Sequence, residues 1–252
     1  MITIVRGIRA AGTLSRRRVI GIARKELREY RRNRQVLVSM AIFPIVFLVQ
    51  PLISITVAPE AAATVIKHSN ELLYLLGIPI LVPATLAAHA VAGERQQGSL
   101  EPVLTTPITR EEFIVGKAIA VITPAIVIGY VVYALFIVAT AVFAQPSVAT
   151  AVIQGQDLVV QIVYTPLLAA AATWIGLAIS TRSSDTRVAQ QLSILGSLPL
   201  LIGAIAMAFD LIHVTTALFI IIGVVLFVFD LQAYRFVTPM FDRERLIAGT
   251  RS

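Results

Sequence analysis

The sequence predicts an all-α polytopic membrane protein, an amphipathic helix followed by six transmembrane helices. Three observations predict it. Apolar residues make up 57% of the 252 residues and charged residues only 14%, where a soluble domain has about 45–50% apolar; mean hydropathy is +0.85. The charges are bunched, so long uncharged runs alternate with short polar ones. Finally, the basic residues sort by segment: with the N-terminus inside, twenty lie on the inner side and one, Lys67, on the outer side. That is a strong positive-inside pattern.

Residues 1–35 carry eleven of the 21 basic residues. Between Ser15 and Arg34, the residues Val19, Ala23, Leu27 and Tyr30 recur at helical spacing, with Ile20 beside them. This predicts an amphipathic helix with an arginine-rich polar face. Two readings stay open, a helix in the headgroup plane or a solvated helix that only fixes topology. The first 25 residues, Arg-rich and free of acids, also mimic an organellar transit peptide, whereas the late start of the first apolar run does not fit a secretory signal.

From there the chain divides into a six-helix membrane domain, 36–235, and a polar tail, 236–252. Spans fall at about 36–58, 72–93, 113–144, 158–180, 190–209 and 211–233, each long enough to cross a hydrocarbon core of roughly 30 Å. Gln145–Gln156 is expected as a loop, with Asp157 as N-cap of the fourth span. Thr181–Gln191 is expected as a compact polar loop, and a tight turn around Asp210 joins the last pair. Proline lies inside five spans, as Pro44, Pro51, Pro79, Pro83, Pro124, Pro166 and Pro199. Each frees a backbone carbonyl and serves either as a hinge or as a static bend. Ala172, Gly176 and Ser180 form a small-residue stripe suited to close helix packing, with dimerisation the lesser reading.

The most patterned polar stretch runs from Glu94 to Glu112. Gly98 breaks the incoming helix, and Ser99 caps a short helix through Thr105 with Glu101 in its first turn. Thr106-Pro107 stops that helix. Thr109 and Glu112 then have the spacing of a capping box, with Ile108 and Phe113 as its hydrophobic staple.

Glu94-Arg95, Gly98-Ser99, Leu100-Glu101, Val103-Leu104, Thr106-Pro107, Glu111-Glu112 and Gly116-Lys117 together resemble the second cytoplasmic segment of type-2 ABC-exporter permeases. The resemblance covers about a tenth of the chain closely and the rest in layout. It implies a type-2 ABC exporter-like fold in which Gly98–Thr106 is a coupling helix docking on an ATP-binding cassette subunit. Ser99, Glu101 and Leu104 would be its contacts, and Thr109 and Glu112 would hold its geometry. The wider coupling set is Glu94, Arg95, Gly98, Ser99, Leu100, Glu101, Leu104, Thr106, Pro107, Thr109 and Glu112. It also implies that ATP and magnesium bind the partner ATPase and not this chain, and that a second permease copy or a sister permease completes the transporter. The location implied is the plasma membrane, with both termini cytoplasmic.

Polar residues inside the spans are few. Gln50, His89, Gln161 and Asp230 are candidates for a translocation path. Helix-to-helix hydrogen bonding accounts equally well for the two glutamines, packing for His89, and pairing with Arg235 for Asp230. The chain has no cysteine and no phosphate-loop, H-E-x-x-H or G-x-S-x-G motif. His68, His89 and His213 are not spaced as a metal site, and basic stripes with interleaved aromatics that would bind nucleic acid are absent. The chain reads as a transport subunit and not as an enzyme. Two other classes remain, an ATP-independent secondary transporter and a membrane-embedded lipid-modifying enzyme.

Overall fold

The computed structural model describes residues 15–57, 71–96, 98, 108–153, 155–212 and 215–241. Every regular element among them is helical. Helix α1 (Arg16–Arg32) precedes α2 (Arg34–Val57), the first span. The second span, Leu72–Gln96, is assembled from α3 (Glu71–Tyr74), α4 (Gly77–Ala88), a π-helical turn (His89–Gly93) and α5 (Glu94–Gln96). The third to sixth spans lie in α6 (Arg110–Phe143), α8 (Gly155–Arg182), α9 (Thr186–Ala208) and α10 (Thr216–Val237). A short helix, α7 (Pro146–Val152), links α6 to α8. Six of these helical stretches are long and apolar enough to cross a membrane.

The second span is the hub. It is 94% buried over its most apolar window, against 11% for the sixth, and α4 packs on α2, α6, α8 and α9. In lipid, helices gain little from hiding apolar surface and associate through close packing of small residues. Ala84, Ala87 and Ala88 are fully buried, and a Cβ on Gly176 would lie 2.5 Å from Ala87 Cβ. The stripe of Ala172, Gly176 and Ser180 is thus spent inside the chain, against the second span. Gly77 serves a similar close approach, because its Cβ would fall 2.0 Å from the Phe47 ring of α2.

Helix α1 buries Val19, Ala23, Glu26 and Tyr30, a single face at helical spacing, and packs on α6. Asn33 ends it and starts the next helix. Its backbone N–H donates to the carbonyls of Glu29 and Tyr30, while its side chain accepts from the N–H groups of Gln35 at 3.0 Å and Val36 at 3.4 Å.

The structure departs from sequence expectation at several helix ends. Residues 146–152 are helical where a loop is expected, since Pro146 suits the first helical position and Val148, Ala151 and Val152 find burial. Helix α8 begins at Gly155, so Asp157 sits in its first turn and not at its N-cap, where the helix dipole favours an acid. Residues 186–191 belong to α9, because Asp185 caps it by accepting from the N–H groups of Arg187 (2.6 Å) and Val188 (3.2 Å). Asp210 does take a left-handed turn, with φ of 55°. The sixth span starts only at Thr216, however, with Thr215 as its cap.

Candidate functional site

Fully buried Lys117 lies two turns into α6. Its ammonium is ringed by three oxygens. Glu26 Oε1 of α1 lies at 3.0 Å and Glu94 Oε2 of the second span at 3.1 Å, and the carbonyl of Ala90 accepts from it. An ammonium has three donors and no acceptor, so this environment is matched to it in number. Lys25 extends the cluster to Glu94 at 2.8 Å, and to Glu26 and Glu29 at 3.3 Å each. Burial disfavours the Lys25 ammonium, yet the hydrogen bond to Glu94 and the charges of Glu26, Glu94 and Glu29 outweigh it and raise its pKa above the usual lysine value. Buried charges are tolerated only when paired in this way.

The cluster closes on the π-helical turn. A π turn disturbs the α pattern of backbone bonds and often marks a functional site. Ser180 of α8 accepts from the N–H groups of Val91 (3.2 Å) and Ala92 (3.0 Å) and donates to the Ala88 carbonyl at 2.9 Å. With Lys117 on Ala90, side chains of two other spans therefore hold the turn.

Beyond the turn, the polar stretch is anchored on both flanks. Upstream, Arg95 donates to the carbonyls of Ser183 (2.6 Å) and Thr181 (3.0 Å) at the C-terminus of α8, where the dipole favours a cation. Thr186 donates to the side-chain oxygen of Gln96, and Gly98 turns the chain with φ of 66°. Downstream, Thr109 and Glu112 form the reciprocal capping box that their spacing predicts. Glu112 is 1% exposed and also accepts from the Ser15 N–H at 2.9 Å and pairs with Arg18 at 3.2 Å. Helix α1 thus grips both flanks, Glu94 through Lys25 and Glu112 through Ser15 and Arg18. Gly116 lets it come close, since a Cβ there would meet Ile22 Cβ at 2.7 Å.

Of the residues the sequence assigns to coupling, Thr109 and Glu112 hold the downstream flank, while Glu94 and Arg95 are engaged within the chain. Ser99, Leu100, Glu101, Leu104, Thr106 and Pro107 lie outside the described residues. The four candidates for a path are not joined by any hydrogen bond or ion pair among the described residues. Gln50 is on the exposed side of α2, His89 opens the π turn, Gln161 is fully buried in α8, and Asp230 is half-buried in α10. Both ends of the Gln161 amide, and Asp230 Oδ1, lack hydrogen-bond partners among the described residues. No ion pair joins Asp230 to Arg235, because five residues turn a helix by about 140° beyond one full turn. Among the described residues no group of three or more candidate ligands could hold a metal.

Sequence reasoning missed Lys25 and Glu26, read Ser180 only as a packing residue, and gave Lys117 no role. The signals were present. Glu26 interrupts the apolar face of α1 between Ala23 and Tyr30, and Lys117 is a lone charge one turn beyond Phe113 in an apolar helix.

A family model described as ABC-2 family transporter protein matches residues 20–218, a region containing the charged cluster, both anchored flanks and five of the six spans. The chain belongs to the ABC-2 transporter family. It is a multi-pass membrane permease, and the junction of α1, the π turn and α6 is the most highly charged interior feature among its described residues. No curated protein matched the chain.

Proposed function

We propose that this ABC-2 permease is the membrane-spanning subunit of an ATP-driven exporter that works with a separate ATP-binding cassette subunit. The observation that carries the reading is the double anchoring of the polar segment. Glu94, Arg95 and Gln96 fix one side and Thr109 and Glu112 the other, so the chain is anchored on both sides of 98–106. A segment held in that way is suited to receive a push and pass it on. Displacement of either flank moves α1, the second span and the third span together, because Lys25, Glu26, Glu94 and Lys117 tie them.

In this reading residues 98–106 dock on the ATPase, with Ser99, Glu101 and Leu104 in contact. Glu94 and Arg95 act as scaffold rather than as contacts. ATP and magnesium belong to the partner, and a second permease, identical or sister, completes the transporter. The twenty-to-one distribution of basic residues supports cytoplasmic termini. Gln161, His89 and Asp230, in which both ends of the Gln161 amide, His89 Nε2 and Asp230 Oδ1 lack partners among the described residues, are the best-supported members of a translocation path.

The test is co-purification in detergent with a candidate ATP-binding cassette ATPase, comparing wild type with a Glu101→Arg, Leu104→Asp double variant. Retention by wild type and loss by a variant that inserts normally is the expected result. If wild type retains no cassette protein, the ATP-driven reading is wrong and proton-coupled transport takes its place.

A further inference from the structure

Where α1 turns into the first span, a cavity of about 430 Å³ opens between that corner and the π turn of the second span. Its wall includes Glu29, Tyr30, Arg32, Arg34, His89 and Glu94. Two polar atoms of this wall are unused. The Tyr30 hydroxyl, on a residue only 6% exposed, and His89 Nε2 have no hydrogen-bond partner among the described residues. A buried polar atom without a partner calls for one, often a ligand or an ion.

The cavity carries charges of both signs. Three carboxylates, the buried Glu26 and Glu94 and the exposed Glu29, share two ammonium groups, Lys25 and Lys117. The carboxylates outnumber these ammonium groups by one. At the mouth Arg32 and Arg34 are exposed and make no ion pair among the described residues. The phenol of Tyr30 has its pKa raised well above the usual value by burial and by the charges of Glu26, Glu94 and Glu29, so it stays protonated. The mouth lies where an arginine-rich amphipathic helix meets the start of a span, which is headgroup level.

We propose that this cavity binds the headgroup of an ethanolamine phospholipid, its ammonium on Glu29, Tyr30 and His89 and its phosphate on Arg32 and Arg34. A primary ammonium brings three N–H donors, two for the unpartnered Tyr30 hydroxyl and His89 Nε2 and one for Glu29, which it shares with Lys25, whereas a quaternary choline ammonium brings none. A purely anionic headgroup would set its charge against the surplus carboxylate. The zwitterion meets both ends of the cavity with opposite charge, and the volume admits a headgroup while the acyl chains remain outside. The site is independent of the ATPase partnership and stands or falls separately from it.

The experiment uses the full chain, purified and delipidated in detergent. Dioleoyl phosphatidylethanolamine, phosphatidylcholine and phosphatidylglycerol are offered in equal amounts, and bound lipid is read by native mass spectrometry with the thermal midpoint recorded in parallel. The expected result is one ethanolamine lipid retained per chain at about tenfold preference over the choline lipid, equivalent to about 1.4 kcal/mol. Tyr30→Phe, which removes only an unpaired hydroxyl, should weaken that preference, and Glu29→Lys should abolish it. Equal retention of the three lipids, or an unchanged preference in Glu29→Lys, would overturn the proposal. Displacement of the lipid by soluble phosphoethanolamine at equal concentration would overturn the membrane source and assign the cavity to an aqueous ligand.

Discussion

Lys117 Nζ and Glu26 Oε1 lie 3.0 Å apart, joining the third span to the amphipathic helix α1 although 91 residues separate them. Both side chains are buried, and Glu94 meets the same ammonium from the second span. Three elements therefore meet on one cation at the foot of the bundle, and the polar segment leaves from there.

Removing that cation should cost more than removing any single acid. Lys117→Met strands two buried carboxylates, and a loss of about 3–5 kcal/mol is expected for a broken buried pair. Combining it with Glu26→Gln should restore part of the loss, with a coupling of about 0.5–3 kcal/mol. Thermal unfolding of the four proteins in one detergent gives the cycle. Additive losses would show that the contact carries no energy.

The π turn depends on Ser180. Ser180→Ala removes the acceptor of two N–H groups and a donor to the Ala88 carbonyl, so a loss of about 1–3 kcal/mol is expected for the buried groups left without partners. Faster amide exchange at Val91 and Ala92 than in wild type would locate the effect. Unchanged exchange there would mean that the turn holds without Ser180.

Close approach at Gly116 should be as sensitive as any charge. Gly116→Val adds bulk where even a Cβ meets Ile22 at 2.7 Å, and overpacking of this kind costs about 1–3 kcal/mol. The added bulk should lift α1 from α6, exposing the 15–32 segment to limited proteolysis. Ile22→Ala in the same chain should reverse the effect. Failure of that rescue would place the strain elsewhere.

The Lys25 contacts should be insensitive to pH over the neutral range. Its folded pKa is raised by Glu94, Glu26 and Glu29 against the pull of burial. A raised pKa gives stability that is fully present below the ordinary lysine value, about 10.4, and is lost only as pH climbs through the folded one. The difference in thermal midpoint between wild type and Lys25→Met should therefore stay flat from pH 6 to pH 9, values well below that range. A difference that vanishes within that interval would contradict the raised pKa.

The sequence by itself determined the six apolar spans, the amphipathic first helix and the capping box at Thr109 and Glu112. These features rest on contacts within a few residues or on the run length a hydrocarbon slab demands. A capping box is closed by two residues three apart, and spacing alone reveals it. Helix ends were less legible, because a polar residue near a helix start serves equally as N-cap or in the first turn, so that Asp157 lies inside its helix while Asp185 and Thr215 cap theirs.

Only the tertiary structure decided which charges are interior. Glu26, Glu94 and Lys117 stand far apart in sequence, and each alone reads as a solvated or capping residue. They become a cluster because Gly116 lets α1 settle onto α6, and because the π turn presents the Ala90 carbonyl to the same ammonium. Ser180 likewise reads as one small residue in a packing stripe until the second span crosses beside it. Spacing reports what lies on one face of one helix. The meeting of faces is set by packing, and here packing turns isolated charges into a joint.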